Sequence, residues 1–197
     1  MANKVNNCFL VNAAAGSGKT TQIKAMINQF ITDNPRENIL CITYTNRAAD
    51  ELSKDIKTPS VFIGTIHSFL HDFLKQYFAH QSILNLYFEM YGEIIEKRIK
   101  NIKRDKNIEV SNEKYKEKYG DLNYEIIRSN VKKLSYNESS FSSLYYGRLS
   151  HDDLIRFSKN VFDKFPIIRK RISAKYQYIF IDEYQDTTAD VLNIFYE

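Results

Sequence analysis

No stretch of this sequence approaches the roughly 18 consecutive apolar residues of a membrane span, so a bilayer is not an expected partner. Charge of one sign is also missing: 28 basic side chains face 24 acidic ones, for a net +4. That balance permits a polyanionic partner without demanding one. Only two cysteines occur, each inside an apolar run, Cys8 in "CFLV" and Cys41 in "ILCIT". Thiols in such runs are small buried hydrophobes rather than halves of a disulfide, which fits a reducing compartment. The opening "MANKVNN" lacks the apolar core of a secretory signal, so the expected location is the cytoplasm. What is present, 43% hydrophobic and 26% charged residues over 197, suits one soluble domain or one domain carrying an insertion. There is no internal repeat.

Four short apolar runs rich in β-branched and aromatic residues read as strands: residues 8–12, 39–45, 61–65 and 178–182. None alternates strictly, as expected of parallel strands covered on both faces. Between the first and second, residues 20–32 place Ile23, Met26, Ile27 and Phe30 at helical spacing. Residues 46–56 do the same with Ala48, Ala49, Leu52 and Ile56. Strand, helix, strand, helix, strand predicts an α/β doubly wound sheet with helices on both faces.

More than 100 residues separate the third and fourth strands, far beyond a crossover connection. Two apolar stripes fill the start of that gap, Ile66 to Phe78 and Ile83 to Ile95, and further helices are expected near 125–134 and 151–165. The pattern predicts a mainly helical insertion over 76–149, hung on a nucleotide-binding domain made of 1–75 and 150–197. Residues 135–143, "SYNESSFSS", read as a loop. The run 97–106, "KRIKNIKRDK", holds six cations against Asp105 alone. It is either a solvated helix face or a contact for nucleic acid. The many tyrosines of the insertion serve packing first, although aromatics among lysines can also stack bases.

The chemistry begins at "AAAGSGKTT", residues 13–21, which follows a strand and opens a helix. Gly16 and Gly18 let successive backbone N–H groups turn inward, and a helix N-terminus adds partial positive charge. A cation in a first helical turn opposes the dipole by ~0.3–1 kcal/mol, so Lys19 is misplaced unless an anion sits there. The loop therefore reads as a phosphate cradle, with Ala15, Gly16, Ser17, Gly18, Lys19, Thr20 and Thr21 around the nucleotide. Thr20 offers a hydroxyl to Mg²⁺. The partner constellation is "YIFIDEYQDT", residues 178–187, a buried strand ending in two adjacent carboxylates. In open α/β sheets ligands sit beyond the strands' carboxyl ends, so both motifs meet at one site. There Asp182 holds Mg²⁺, and Glu183 orients and deprotonates the attacking water. His67 and His71 stand four apart, but no third ligand is evident for zinc.

The segment Asp182-Glu183-Tyr184-Gln185-Asp186-Thr187 resembles the Walker B motif of UvrD-like superfamily 1 DNA helicases. "TYTNRAADEL", residues 43–52, is similar to that family's motif Ia, and "GTIHSF", residues 64–69, to its motif Ib. The resemblance covers essentially the whole chain, which matches the front of such a helicase up to motif II. It implies a P-loop NTPase of RecA-like fold with the insertion as its helical subdomain. It also implies an ATP-dependent DNA helicase as the enzyme, with ATP and Mg²⁺ as cofactors and single-stranded DNA as partner. Lys19 would then bind phosphate, Asp182 the metal, and Glu183 the water, while Gln185 would sense the γ-phosphate. Tyr44, Thr45 and Asn46 of motif Ia would lie along the DNA strand, with Thr65, His67 and Ser68 of motif Ib near its backbone.

The chain stops at "ADVLNIFYE", inside an apolar helical pattern, so the second RecA-like domain of the family is expected elsewhere in a longer protein. Without that domain's arginines, turnover is expected to be slight. Two other readings compete: a stand-alone module that uses nucleotide as a switch with a separate partner, and a small P-loop kinase.

Overall fold

In the computed structural model, which describes residues 19–136, 143–182 and 194–195 (for Lys19 and Thr20 the backbone alone), the sheet is organised by one strand. Strand β1 (Ile39–Thr43) pairs in parallel with β2 (Val61–Thr65) on one side and β5 (Tyr178–Ile181) on the other. Every residue of β1 is buried, whereas β2 and β5 are mostly half-buried, as flanking strands should be. The predicted strand 8–12 lies outside the described residues. Thr43 ends β1 two residues earlier than the apolar run suggests, because its side-chain hydroxyl donates to the Thr45 carbonyl and turns the chain.

Side chains alternate across the sheet, and each face has its own cover. Ile39 and Cys41 of β1, with Val61, Ile63, Tyr178 and Phe180 alongside, face helices α1 (Lys19–Asp33) and α2 (Asn46–Ser53). Ile27 of α1 and Leu52 of α2 are fully buried there. Phe30, near the end of α1, packs on Tyr178 at the start of β5, with ring centroids 4.3 Å apart. Helix α1 therefore runs antiparallel to the strands, and its first turn returns to their carboxyl edge. Leu40 and Ile42 face the other way, toward α3 (Ile66–Leu74), α7 (His151–Lys164) and α8 (Pro166–Lys175). This makes the chain an α/β protein with a parallel sheet flanked by helices on both faces.

Between α3 and α7 come α4 (Gln81–Lys100), α5 (Lys106–Tyr119) and α6 (Tyr124–Asn130). Two-residue strands β3 (Ser135–Tyr136) and β4 (Arg148–Leu149) close this part as a parallel pair, so the predicted loop begins with a short strand. Its other described member, Ser143, bridges to Arg148. Helices α5 and α8 were not expected from periodicity, since both are rich in charge and bury few residues. The apolar cluster on the α3 face continues without a break from Leu40 and Phe69 through Phe73 and Phe78 to Tyr87, Tyr115 and Ile127. Its polar atoms are satisfied internally: Tyr87 donates to the Leu144 carbonyl at 2.7 Å and Tyr145 to Asn112 at 2.7 Å. Helices α4 and α7 are tied by Tyr91 donating to Asp153 and by the ion pair of Lys164 with Glu89.

Gly147 follows a short 3-10 turn at φ +66°, a left-handed conformation that side chains resist. A Cβ there would stand 2.6 Å from Val131 Cγ1. Gly147→Ala is expected to lower unfolding free energy by about 1–2 kcal/mol from the backbone conformation alone, and more from the clash. Urea titration followed by circular dichroism measures it.

The joint between α3 and α7 includes an unusual pair. The rings of His67 and His151 stack with centroids 3.2 Å apart, and Tyr136 shares a 2.6 Å hydrogen bond with His151 Nδ1. His67 Nε2 is buried with no hydrogen-bond partner among the described residues. Burial holds the His67 imidazole down at about 4, helped by His151, against weaker opposing pulls from a hydrogen bond to the His151 backbone and from Asp152. Because folding disfavours the imidazolium, this packing is at full strength above the ordinary value of 6.5 and is lost as pH falls toward 4. Thermal unfolding should therefore drop in temperature across that window. In His67→Phe, which keeps a ring but not the titration, the drop should flatten; an identical pH profile would show that His67 does not carry it.

Candidate nucleotide and nucleic-acid edge

The carboxyl ends of the three strands are level, since Thr43 pairs with Thr65 and Ile42 with Ile181. Asp182 comes next, and its N–H donates to the Ile42 carbonyl at 2.8 Å, which holds it against the end of β1. Its side chain is buried at 6% exposure. A carboxylate removed from water needs cations or donors around it, and a hard divalent cation is the partner that such an oxygen best suits. The Asp182 carboxylate also bears on Cys41, whose thiol is pushed up to about 12, chiefly by burial and then by that charge. Cys41 thus stays a protonated, inert filler of the core.

Three helices begin at this edge. Lys19 and Thr20 are the first residues of α1, and Thr21 behind them is exposed. Thr45 caps α2, its hydroxyl accepting from the Ala48 N–H at 3.2 Å, so Asn46 is that helix's first residue. Thr65 caps α3 in the same way, accepting from the Ser68 N–H at 3.3 Å, while the Ser68 hydroxyl donates to the Thr65 carbonyl at 2.8 Å. None of the three helices has an acidic residue in its first turn, a feature they share with α4 and α8, whereas α5, α6 and α7 carry Glu109, Glu125 and the pair Asp152 and Asp153 there. The partial positive ends of α1, α2 and α3 thus have no carboxylate within their own first turns.

The sequence around each cap explains the local geometry. Gly64 is the next-to-last residue of β2, where a Cβ would lie 2.6 Å from Ser68 Oγ and 2.9 Å from the Phe62 ring, so a larger residue would push the Ser68 and Phe62 side chains aside. Tyr44, immediately after β1, is 63% exposed, against 38% for Tyr119. Lys24 on α1 pairs with Asp55 beyond α2 at 2.7 Å, joining the two helices that cover this face.

The structure thus brings Tyr44, Thr45, Asn46, Thr65, Ser68 and Asp182 to one edge, together with the start of α1. His67 is also on α3, with its ring stacked on His151 rather than extended into solvent. His71, one turn later, lies beside Tyr136 and Phe78. Among the described residues no group of three or more His, Cys, Asp or Glu is arranged to hold a metal. Ala15, Gly16, Ser17, Gly18, Glu183 and Gln185 lie outside the described residues. Sequence reasoning missed His151 and Tyr136 as neighbours of the motif Ib helix, and no local signal could have shown them: they sit 84 and 69 positions after His67.

Comparison with known proteins agrees with this geometry. The family model for the UvrD/REP helicase N-terminal domain matches residues 1–144 and 91–196. The chain is 32% identical over 206 residues to DNA helicase II of Rickettsia typhi, covering 91% of this chain and 31% of that protein. It is 26% identical to ATP-dependent DNA helicase PcrA of Staphylococcus aureus, covering 91% of the chain and 28% of the relative. Gabija protein GajB of Bacillus cereus is similar at 26% identity, over 94% of the chain and 37% of its own length. The chain thus spans about a third of the length of the curated relatives it matches. On its strand order, its edge and these matches, the chain belongs to the UvrD/REP helicase N-terminal domain family.

Proposed function

We propose that the chain is the ATP-binding N-terminal part of an ATP-dependent DNA helicase or translocase that acts on single-stranded DNA. The observation that carries this reading is the carboxyl edge of the sheet, where buried Asp182 shares an edge with the starts of α1, α2 and α3, whose first turns hold no acidic residue. An edge with one buried carboxylate and several helix N-termini can take a polyanion and a cation together. Residues 1–75 and 150–197 form the nucleotide-binding domain in this reading, and residues 76–149 its helical subdomain.

Backbone N–H groups from Ala15 to Thr21 and the Lys19 ammonium hold the phosphates. Asp182 and the Thr20 hydroxyl hold Mg²⁺, which when bound neutralises charge on the phosphate oxygens. Glu183 orients a water and takes its proton, and Gln185 reports the state of the phosphate to the DNA side. On that side Tyr44 offers an exposed ring face to a base, while Thr45, Asn46, Thr65 and Ser68 line the approach with short polar groups and His67 backs them. The second RecA-like domain, with its arginines and its half of the DNA path, belongs to the rest of the protein. Arginine fingers contribute about 10³–10⁵ in phosphoryl-transfer rate, so this part alone turns over slowly.

Lys19→Ala is expected to abolish Mg²⁺-dependent ATP binding, measured by titration calorimetry, while the unaltered chain binds ATP with little hydrolysis in either the presence or the absence of single-stranded DNA. ATP binding that survives Lys19→Ala would sink the reading of residues 15–21 as the phosphate cradle. Strong DNA-stimulated turnover would overturn the dependence on a second domain. For Tyr44→Ala the expected loss in oligonucleotide affinity is about 1–3 kcal/mol, the worth of one stacked base, with Tyr44→Phe close to the parent. Fluorescence anisotropy with a labelled single strand reads both.

A further inference from the structure

The run 97–106 does not lie along one helix face. It spans the last turn of α4, a tight tip, and the first residue of α5. Asn101 and Arg104 in that tip have φ of +42° and +52°, and they are the non-glycine residues with positive φ among those described. The tip is nevertheless fixed. Asn101 donates from Nδ2 to the Asp105 carbonyl at 3.2 Å and accepts the Asp105 N–H on Oδ1 at 2.9 Å. Its own carbonyl accepts the Arg104 N–H at 2.9 Å. A conformation that side chains resist, clamped by three hydrogen bonds, displays what lies between.

What it displays is charge around one apolar side chain. Ile102 is 74% exposed at the tip, and Lys100, Lys103, Arg104 and Lys106 are exposed around it. The only acid of the run, Asp105, is spent as the cap of α5, accepting from the Asn107 and Ile108 N–H groups. Lys97 pairs with Glu93 at 3.5 Å on the exposed flank of α4. Among the described residues Lys100, Lys103, Arg104 and Lys106 form no ion pair, so the tip's charge is offered outward.

We propose that the α4–α5 tip is a second nucleic-acid contact, in which Lys100, Lys103, Arg104 and Lys106 track the phosphate backbone and Ile102 packs against a sugar or base. Closely spaced negative charge on a continuous polymer is what four cations within seven residues match. One isoleucine adds too little apolar area to anchor the chain in a bilayer, which argues against an anionic membrane as the occupant. The contact is separate from Tyr44 and the α2 and α3 caps, and needs no nucleotide. The choice of nucleic acid draws on the proposed DNA function, but the residues do not overlap.

The test is oligonucleotide affinity by anisotropy between about 50 and 200 mM salt, comparing the parent chain, Tyr44→Ala, and a triple variant. The triple variant carries Lys100→Gln, Lys103→Gln and Arg104→Asn, the last because asparagine tolerates the left-handed backbone. Its thermal unfolding should match the parent's, since all three side chains are exposed. Expected for the triple variant are about tenfold or greater loss at low salt and a salt slope shallower by about 2, from three contacts at about 0.7 each on a single strand. Parent affinity and slope in the triple variant would overturn the tip contact, and loss in Tyr44→Ala alone would leave only the motif track. Loss in the triple variant with Tyr44→Ala unchanged would uphold the tip and sink the track. Mixed phosphatidylcholine–phosphatidylserine vesicles are the counter-probe: if the triple variant loses vesicle binding but keeps oligonucleotide binding, the occupant is a membrane and the proposal fails.

Discussion

Two parallel ladders on either side of β1 fix everything that bears on the edge. With both flanks hydrogen-bonded and both faces covered, β1 has no freedom to slip, because a one-residue shift would carry Cys41 and Leu40 to the wrong helices. Level strand ends follow from that register, and so does the common height at which α2 and α3 start. Asp182 is buried because β5 ends one residue short of it against the Ile42 carbonyl. Parallel pairing thus does the work of bringing residues more than 130 positions apart to a single edge.

The sheet was legible in the sequence because parallel strands covered on both faces are written as continuous apolar runs, and β1, β2 and β5 all fall within the runs that announced them. The α1 and α4 stripes were legible for the same reason, each being long and regularly spaced. Helix α5 was not: its sequence buries only Asn112 and Tyr115, and Asn112 earns its place by donating to the Arg98 and Ile99 carbonyls, a contact that periodicity cannot register. Helix α8 begins with Pro166 and buries two isoleucines, too little for a stripe. The caps were partly legible, since Thr45 and Thr65 stand where threonine ends a strand and begins a helix. That Thr65 and Ser68 spend their hydroxyls on each other's backbone was not.

The tyrosines of the insertion divide in a way composition could not anticipate. Tyr87, Tyr115 and Tyr145 are buried and serve the core, with their hydroxyls matched inside it. Tyr119 and Tyr146 lie nearer the surface with the Lys118 ammonium over both rings, at 5.1 and 5.3 Å. Cations near Tyr119 and Tyr146 are thus already satisfied by aromatic faces, unlike those of the α4–α5 tip, where among the described residues no ring lies beneath the charge.

The continuity of the apolar cluster across α3 has a consequence for anyone trimming this protein. By position, residues 76–149 look detachable, an excursion between two strands. By packing they back the helices that seal the sheet's second face: Tyr87 stands 6.3 Å from Phe157 of α7 and Phe78 6.2 Å from His71 of α3, ring centroid to ring centroid, and Phe78 and Tyr87 belong to the same cluster as Leu40. Joining residue 75 directly to residue 150 would leave the outer side of α3 and α7 as an open apolar surface, prone to self-association. The smallest unit that folds as this protein does therefore includes its helical excursion.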